Sequence, residues 1–268
     1  MKNVYDIILQ YSDRNMDKLK KVYPTNEYKK ASKTIKNIKK GAIFLYTGFY
    51  VEGHAETDGV VGTYFLARAF KELGFYPVII TDKYCLDYFK EIETIYIPIG
   101  LNNDKLYKKL LDTYRPVLHL SCERCGKNKD SEYLNHKLNP ITKYTADIDT
   151  LFQMGSLNAP SIAIGDGGNE IGMGNFFEYF EKIDAKFHSI VTCDHPLIAS
   201  VSNWGAYALI ATLSNKLLPT FKEAEEYLKQ IIKKGAVDGI TKQPTLSVDA
   251  KEWSLEKKIL EELKQLSN

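Results

Sequence analysis

The stretch Ser161-Ile-Ala-Ile-Gly-Asp-Gly-Gly-Asn-Glu-Ile-Gly-Met-Gly174 sets the architecture of this chain. Its apolar run Ile162 to Ile164 predicts a buried strand, which stops at Gly165, Asp166, Gly167 and Gly168, where small residues allow a sharp turn. Phe176 to Ile183 follows with a helical pattern. Asp166, Asn169 and Glu170 then stand where a strand delivers its last side chains into the crevice above an open α/β sheet, the usual place for a ligand. A glycine-rich turn capped by Asp or Asn would give the same spacing with no ligand at all. The dinucleotide fingerprint G-x-G-x-x-G fails at its third glycine, where Glu170 stands, and no Walker-type lysine follows. A loop carrying its own negative charge suits a metal ion or an ammonium group better than bare phosphate.

Upstream, Ala42 to Tyr46 reads as a strand, and a helix starts near Asp58 with Val61, Phe65, Leu66, Ala69, Phe70 and Leu73 on a 3.6-residue period before Gly74 ends it. Pro77 to Thr81 is the next strand and ends at Asp82; Thr94 to Ile99 is another, Asp104 to Thr113 a helix, and Pro116 to Leu120 a strand leading to Ser121, Cys122 and Glu123. Residues 124 to 146 are polar and irregular, long enough to be a functional loop or a lid. Downstream, His188 to Cys193 reads as a strand and Leu197 to Leu217 as mostly helix, entered through Ser202-Asn203-Trp204-Gly205. Glu223 to Lys233 is helical, Val237 to Asp249 is a loop offering Asp238 and Asp249 as further site residues, and Leu255 to Leu266 is an amphipathic helix. Repeated βαβ units predict an α/β fold: a doubly wound, mostly parallel sheet with helices on both faces. Residues 1–40 form the expected N-terminal helical arm, anchored by Ile8, Leu9, Leu19 and Val22 and broken at Pro24. Residues 41–268 are expected to be a single α/β catalytic domain.

At 268 residues and 44% apolar content the chain can bury a sizeable core. A net charge of +2 asks for no nucleic-acid partner, and Lys29, Lys33, Lys36 and Lys40 read as a solvated helix face. Met1 to Asp6 lacks a signal-peptide pattern, and no apolar run approaches the ~18 residues needed to span a bilayer, so the expectation is a soluble, cytoplasmic protein with no membrane partner. Four cysteines in this length fit a reducing interior. Association into a homo-oligomer stays open.

The segment Glu52-Gly-His-Ala-Glu-Thr-Asp-Gly59 places Glu56 and Asp58 around Thr57 at the start of a helix. They either cap that helix or offer oxygens to a cation or a substrate ammonium. Asp82, Glu123, Asp166 and Glu170 also fall at strand ends, so one crevice can collect them all. Clustered acids repel unless a cation neutralises them, and all-oxygen ligation favours magnesium or manganese over zinc. The expected metal ligands are Glu56, Asp58, Asp166 and Glu170. Cys122-Glu-Arg-Cys125, with His119 and His136 nearby, lacks the second pair that a zinc site needs, and it opens a loop where a thioredoxin-type pair would open a helix.

Together the segments resemble the D-glutamate cyclase family from about residue 41 to 260. The matching pieces are Glu56-Thr-Asp-Gly59 with Leu66-Ala-Arg-Ala69, Thr81-Asp82, Glu123-Arg124 with Gly126, Ile164 to Gly174, Val201-Ser-Asn-Trp-Gly-Ala-Tyr-Ala-Leu209, and Val237-Asp-Gly239. The resemblance implies a hydro-lyase that converts the small amino acid D-glutamate to 5-oxo-D-proline and water with a divalent cation, Mn2+ or Mg2+. Cys125 stands where proline is usual, Asn135-His-Lys137 replaces Asn-Met-Arg, and Lys242 to Asp249 matches loosely. In the mechanism these residues support, Glu170 is the first choice of base and Glu123 the second, with Asp166 as their catalytic neighbour. Arg124 is expected to hold the α-carboxylate, and Thr57, Asn169, Ser202 and Asn203 to fix the substrate by neutral hydrogen bonds. Strand-end acids would also serve a metal-dependent phosphoester hydrolase, or a non-catalytic protein binding a small acidic ligand or nucleotide.

Overall fold

The computed structural model describes residues 3–20, 23, 26–100, 103–183 and 188–266. Val22 and Pro24, read above as an anchor and a break, lie outside them. The chain begins with three helices, α1 (Val4–Ile8), α2 (Met16–Leu19) and α3 (Glu27–Asn37). Strand β1 (Ala42–Tyr46) follows, then a small hairpin of β2 (Tyr50–Val51) and β3 (His54–Ala55), helix α4 (Val60–Glu72), β4 (Tyr76–Thr81) and β5 (Glu93–Tyr96). The second half runs α5 (Asp104–Tyr114), β6 (Leu118–Cys122), α6 (Ile148–Ser156), β7 (Ser161–Gly165), α7 (Phe177–Lys182), β8 (His195–Ile198), α8 (Ser202–Leu213) and α9 (Phe221–Ile232). A second hairpin, β9 (Ser247–Val248) and β10 (Lys251–Glu252), leads into α10 (Ser254–Lys264).

Six strands form one sheet in the order β5-β4-β1-β6-β7-β8, and every neighbouring pair is parallel. The chain starts at the centre with β1, winds outward through β4 and β5, then returns to β6 and winds the other way, which is the doubly wound arrangement. Side-chain alternation divides the strand residues between two faces. Ile43, Leu45, Ile79, Leu120 and Ile164 face a core shared with α4, α8, α9 and α10, whereas Phe44, Tyr46, Val78, Ile80 and Ala163 face α5 and α6. With both faces covered, the strands read as near-continuous apolar runs. Tyr5, Ile8, Leu9, Met16, Leu19, Tyr28 and Ile35 from the first forty residues belong to the same buried cluster as α8 and α10. The Tyr28 hydroxyl donates to the Ile198 carbonyl of β8 at 3.2 Å, which ties α3 to the sheet edge.

One strand is misplaced by sequence. His188 to Cys193 forms no strand; it lies across the glycine-rich turn, with Ser189 N–H donating to Gly168 O and Val191 O accepting from Gly172 and Gly174. The last strand of the six-stranded sheet is His195–Ile198, containing Pro196. Proline cannot donate to a ladder, and it is tolerated here because β8 is an edge strand with an open side. Among the described residues no helix is long and apolar enough to cross a membrane.

Candidate active site

The direction of winding reverses between β1 and β6, and the residues leaving the carboxyl ends of β1, β6 and β7 converge above that point. At the end of β7, the Glu170 carboxylate turns back onto its own loop and accepts from the N–H groups of Gly167 (2.9 Å) and Gly168 (2.7 Å). Glycine is required for this approach: a Cβ at Gly165 would lie 2.8 Å from Glu170 Oε2. Gly168 also takes φ +111°, which other residues avoid. At the end of β6, Glu123 sits in the left-handed region at φ +50°, an unusual place for a glutamate, and its Oε2 accepts from the Ser202 hydroxyl at 2.6 Å.

Asp58 does not cap the helix that follows it, since α4 has no side-chain N-cap bond. Its carboxylate accepts instead from the N–H groups of Ser202 and Asn203, both at 2.8 Å, so it caps α8 across the fold. Asn203 completes the joint, accepting from Gly62 N–H at 2.7 Å and donating to the Thr57 carbonyl at 3.2 Å. Thr57 is fully buried and donates to the Ser247 carbonyl at 3.0 Å. The neutral groups expected to hold substrate are thus committed to the scaffold, except Asn169, which lines the pocket and also bonds Leu134 O.

Arg124 is buried, paired with Asp82 at 2.7 Å and bonded to the carbonyls of Gly48 and Ala146, so it joins β6 to the loops after β1 and β4 and is not part of the pocket lining. The arginine that does line the pocket is Arg14, from the turn between α1 and α2. Its Nη1 lies 2.6 Å from Asp166 and its Nη2 2.8 Å from Asp249. Asp249 is positioned by Asp238, whose carboxylate accepts from the N–H groups of Ile240, Thr241 and Ala250 and from the Ser247 hydroxyl. Asp238 therefore acts as the staple of its loop, and Asp249 as the group that the loop delivers.

The pocket is a cavity of about 240 Å³, below the ~300 Å³ where drug-sized sites begin, which suits a small metabolite. Glu52, Glu56 and Glu123 line it on the acidic side, with Arg14, His136, Lys137 and Lys242 as basic groups, Lys242 paired with Glu52. Burial raises the carboxyl groups of Glu56, Glu123 and Asp166 above their ordinary range, and neighbouring carboxylates add to the rise; burial raises Glu170 too, against its backbone donors and Arg14. Burial and Asp249 push Asp58 up to about 7 despite its three backbone donors. Burial opposes ionisation of Asp249 too, but Arg14 and the adjoining Asp166 hold it below the ordinary range. Arg14 itself stays charged: burial works against the guanidinium, and Asp166, Asp249, Glu123 and Glu56 more than offset it.

Two groups of carboxylates could hold a metal ion, each with ligand oxygens within 4.8 Å of one another: Asp58, Asp166 and Asp249, and Glu123, Asp166 and Glu170. Each group holds two of the four expected ligands, Asp58 with Asp166 and Asp166 with Glu170; Glu56 stands outside both, and Asp249 and Glu123 join. The donor set fits a hard divalent cation, being all oxygen, and Asp166 Oδ2 is buried with no hydrogen-bond partner, an atom that asks for a cation or a proton. The cysteines play no such part: the Cys122 thiol lies 3.7 Å from Ser202 O, Cys125 lies against Leu134 O, and burial pushes both up.

The model of the family described as D-glutamate cyclase-like, C-terminal, matches residues 6–264. Among curated proteins, the human mitochondrial D-glutamate cyclase is 36% identical over 101 residues, which is 35% of this chain and 16% of that protein. The chain thus matches only a small part of that relative's length. The family match runs through all the strand ends and also takes in Arg14, so the chain belongs to the D-glutamate cyclase-like, C-terminal family.

Proposed function

We propose that this protein is a lyase closing D-glutamate to 5-oxo-D-proline with release of water. The observation that carries the reading is a pocket-facing carboxyl, Glu123, raised by burial and by its acidic neighbours and held by Ser202, in a cavity that also presents Arg14. Ring closure forms a bond from the amine nitrogen to the side-chain carboxyl carbon and breaks one carbon–oxygen bond. The ammonium gives up two protons in all, and both leave on the departing oxygen as water. A carboxyl that takes a proton and returns it is what this balance needs, and a raised pKa makes Glu123 readier than an ordinary carboxyl to take one. Glu123 suits the task better than Glu170, whose two oxygens are spent on Gly167 and Gly168 and which does not line the cavity.

Arg14, Lys137 and Lys242 supply positive charge for the two substrate carboxylates, and Glu56 with Glu123 supplies the acidic side for the ammonium. Enclosure in a small cavity favours the folded conformer from which the amine reaches its own side chain. Asp58, Asp166 and Asp249, or Glu123, Asp166 and Glu170, would hold Mn2+ or Mg2+; bound there, the ion would withdraw charge from a carboxylate and make it a better electrophile. The test is proton NMR of the purified protein with D- and L-glutamate separately, with manganese, magnesium or chelator. Ring-closed product from the D-isomer is the expected result. No reaction of either isomer under any of these conditions refutes the substrate.

A further inference from the structure

Arg14 approaches the acid cluster from outside the sheet, between α1 and α2, and bridges Asp166 and Asp249 through one oxygen of each. Those same residues supply two of the three carboxylates in the group Asp58, Asp166 and Asp249. The other oxygen of Asp166 is buried and unpartnered. A quarter of the Arg14 side chain is exposed to solvent.

We infer that Arg14 is an exchangeable counter-cation: the guanidinium and a divalent ion compete for Asp166 and Asp249, and the arginine gives way when the ion binds. The inference rests on the metal reading of the cluster. A divalent ion drawing on three carboxylates brings twice the charge of a guanidinium held by two, and the two cations repel at contact distance. Arg14 also lines the cavity beside Glu56 and Glu123. Once displaced, it is free to pair with the carboxylate of an acidic ligand, so the ion and the ligand bind in that order.

A competing arrangement makes Arg14 a fixed strut that holds the two carboxylates ready for the ion, and the two arrangements give opposite signs. Calorimetric titration of Mn2+ alone into the wild type, Arg14→Met and Arg14→Lys decides between them. Competition predicts that Arg14→Met binds Mn2+ about tenfold tighter or more, on the scale of one partly exposed ion pair, with Arg14→Lys in between because an ammonium cannot span both carboxylates. Equal or weaker binding by Arg14→Met overturns the exchange while leaving the metal reading intact. Absence of binding in all three proteins overturns both. If Arg14→Met folds poorly without metal, the Arg14→Lys comparison and the Mn2+-induced rise in Tm, expected to exceed that of the wild type, carry the same sign test.

Discussion

Replacing Glu256 with glutamine should stabilise the protein, and more so as the pH rises. Glu256 lies on α10, is 2% exposed, and accepts from Trp204 Nε1 of α8 at 2.6 Å. Burial raises its carboxyl from 4.5 to about 8, only partly offset by hydrogen bonds from Trp204 and Tyr207. In the unfolded chain the group ionises near 4.5, so over the window up to about 8 the unfolded state has lost a proton that the folded state keeps. A raised folded pKa means that the contribution of Glu256 is fully present below 4.5 and lost as the pH climbs to about 8. At ~1.4 kcal/mol per pH unit the whole window amounts to about 5 kcal/mol, which relaxation and water penetration reduce to roughly 2–4. Glutamine keeps an acceptor for Trp204 and never ionises. Urea unfolding at about pH 5 should find variant and wild type within ~0.5 kcal/mol, and at about pH 8 the variant ahead by roughly 2–4 kcal/mol. The other buried acids are common to both proteins and largely cancel in the difference. A gap that does not change with pH, or a variant less stable at the alkaline end, would refute the argument.

Glu123→Gln should lower turnover by about a hundredfold or more while leaving the thermal transition unchanged or higher, because it removes a proton carrier and also a buried charge. NMR rates alongside circular-dichroism melts check both halves. Asp238→Ala strips the acceptor from three backbone N–H groups and a hydroxyl, and should cost about 3 kcal/mol or more in urea unfolding, with a raised KM because Gly239 and Ile240 line the cavity. In thiol titration with Ellman's reagent, Cys85, Cys122 and Cys125 should stay silent in the native protein, since they are buried and burial pushes each thiol up. At most the partly exposed Cys193 should react before denaturant is added.

The sheet was legible because its strands are apolar runs that end in small or acidic residues; β1 and β7 fall where their sequences place them, and the acids at the ends of β6 and β7 do meet. β8 was not legible, because its apolar pair Leu197-Ile198 runs on toward the apolar helix α8 and so reads as the start of that helix. Arg14 gave no signal at all. It sits in a short polar turn, 152 positions from Asp166, and nothing local to Ser12-Asp13-Arg14-Asn15 tells a surface arginine from one that closes a site. Arg124 was expected to hold a substrate carboxylate; its buried guanidinium pairs with Asp82, a partner 42 positions away that nothing local to Glu123-Arg124 announces.

The acids of this molecule divide by what they accept. Asp238 takes three backbone N–H groups, Asp58 takes those of Gly59, Ser202 and Asn203, and Glu170 takes two, so each spends its charge on holding a turn or a helix start. Such donors stabilise the ionised form and tie the carboxylate to one geometry, which suits an anchor or a metal ligand and not a group that must pick up a proton. Glu123 has a single hydroxyl donor, and burial with the neighbouring acids holds its carboxyl well above the ordinary range. Among the acids that line the cavity, it combines exposure to the ligand with the freedom to change protonation without unfastening the fold. Chemistry is therefore expected to fail first at Glu123, whereas loss of Asp58 or Asp238 should be felt first as loss of structure.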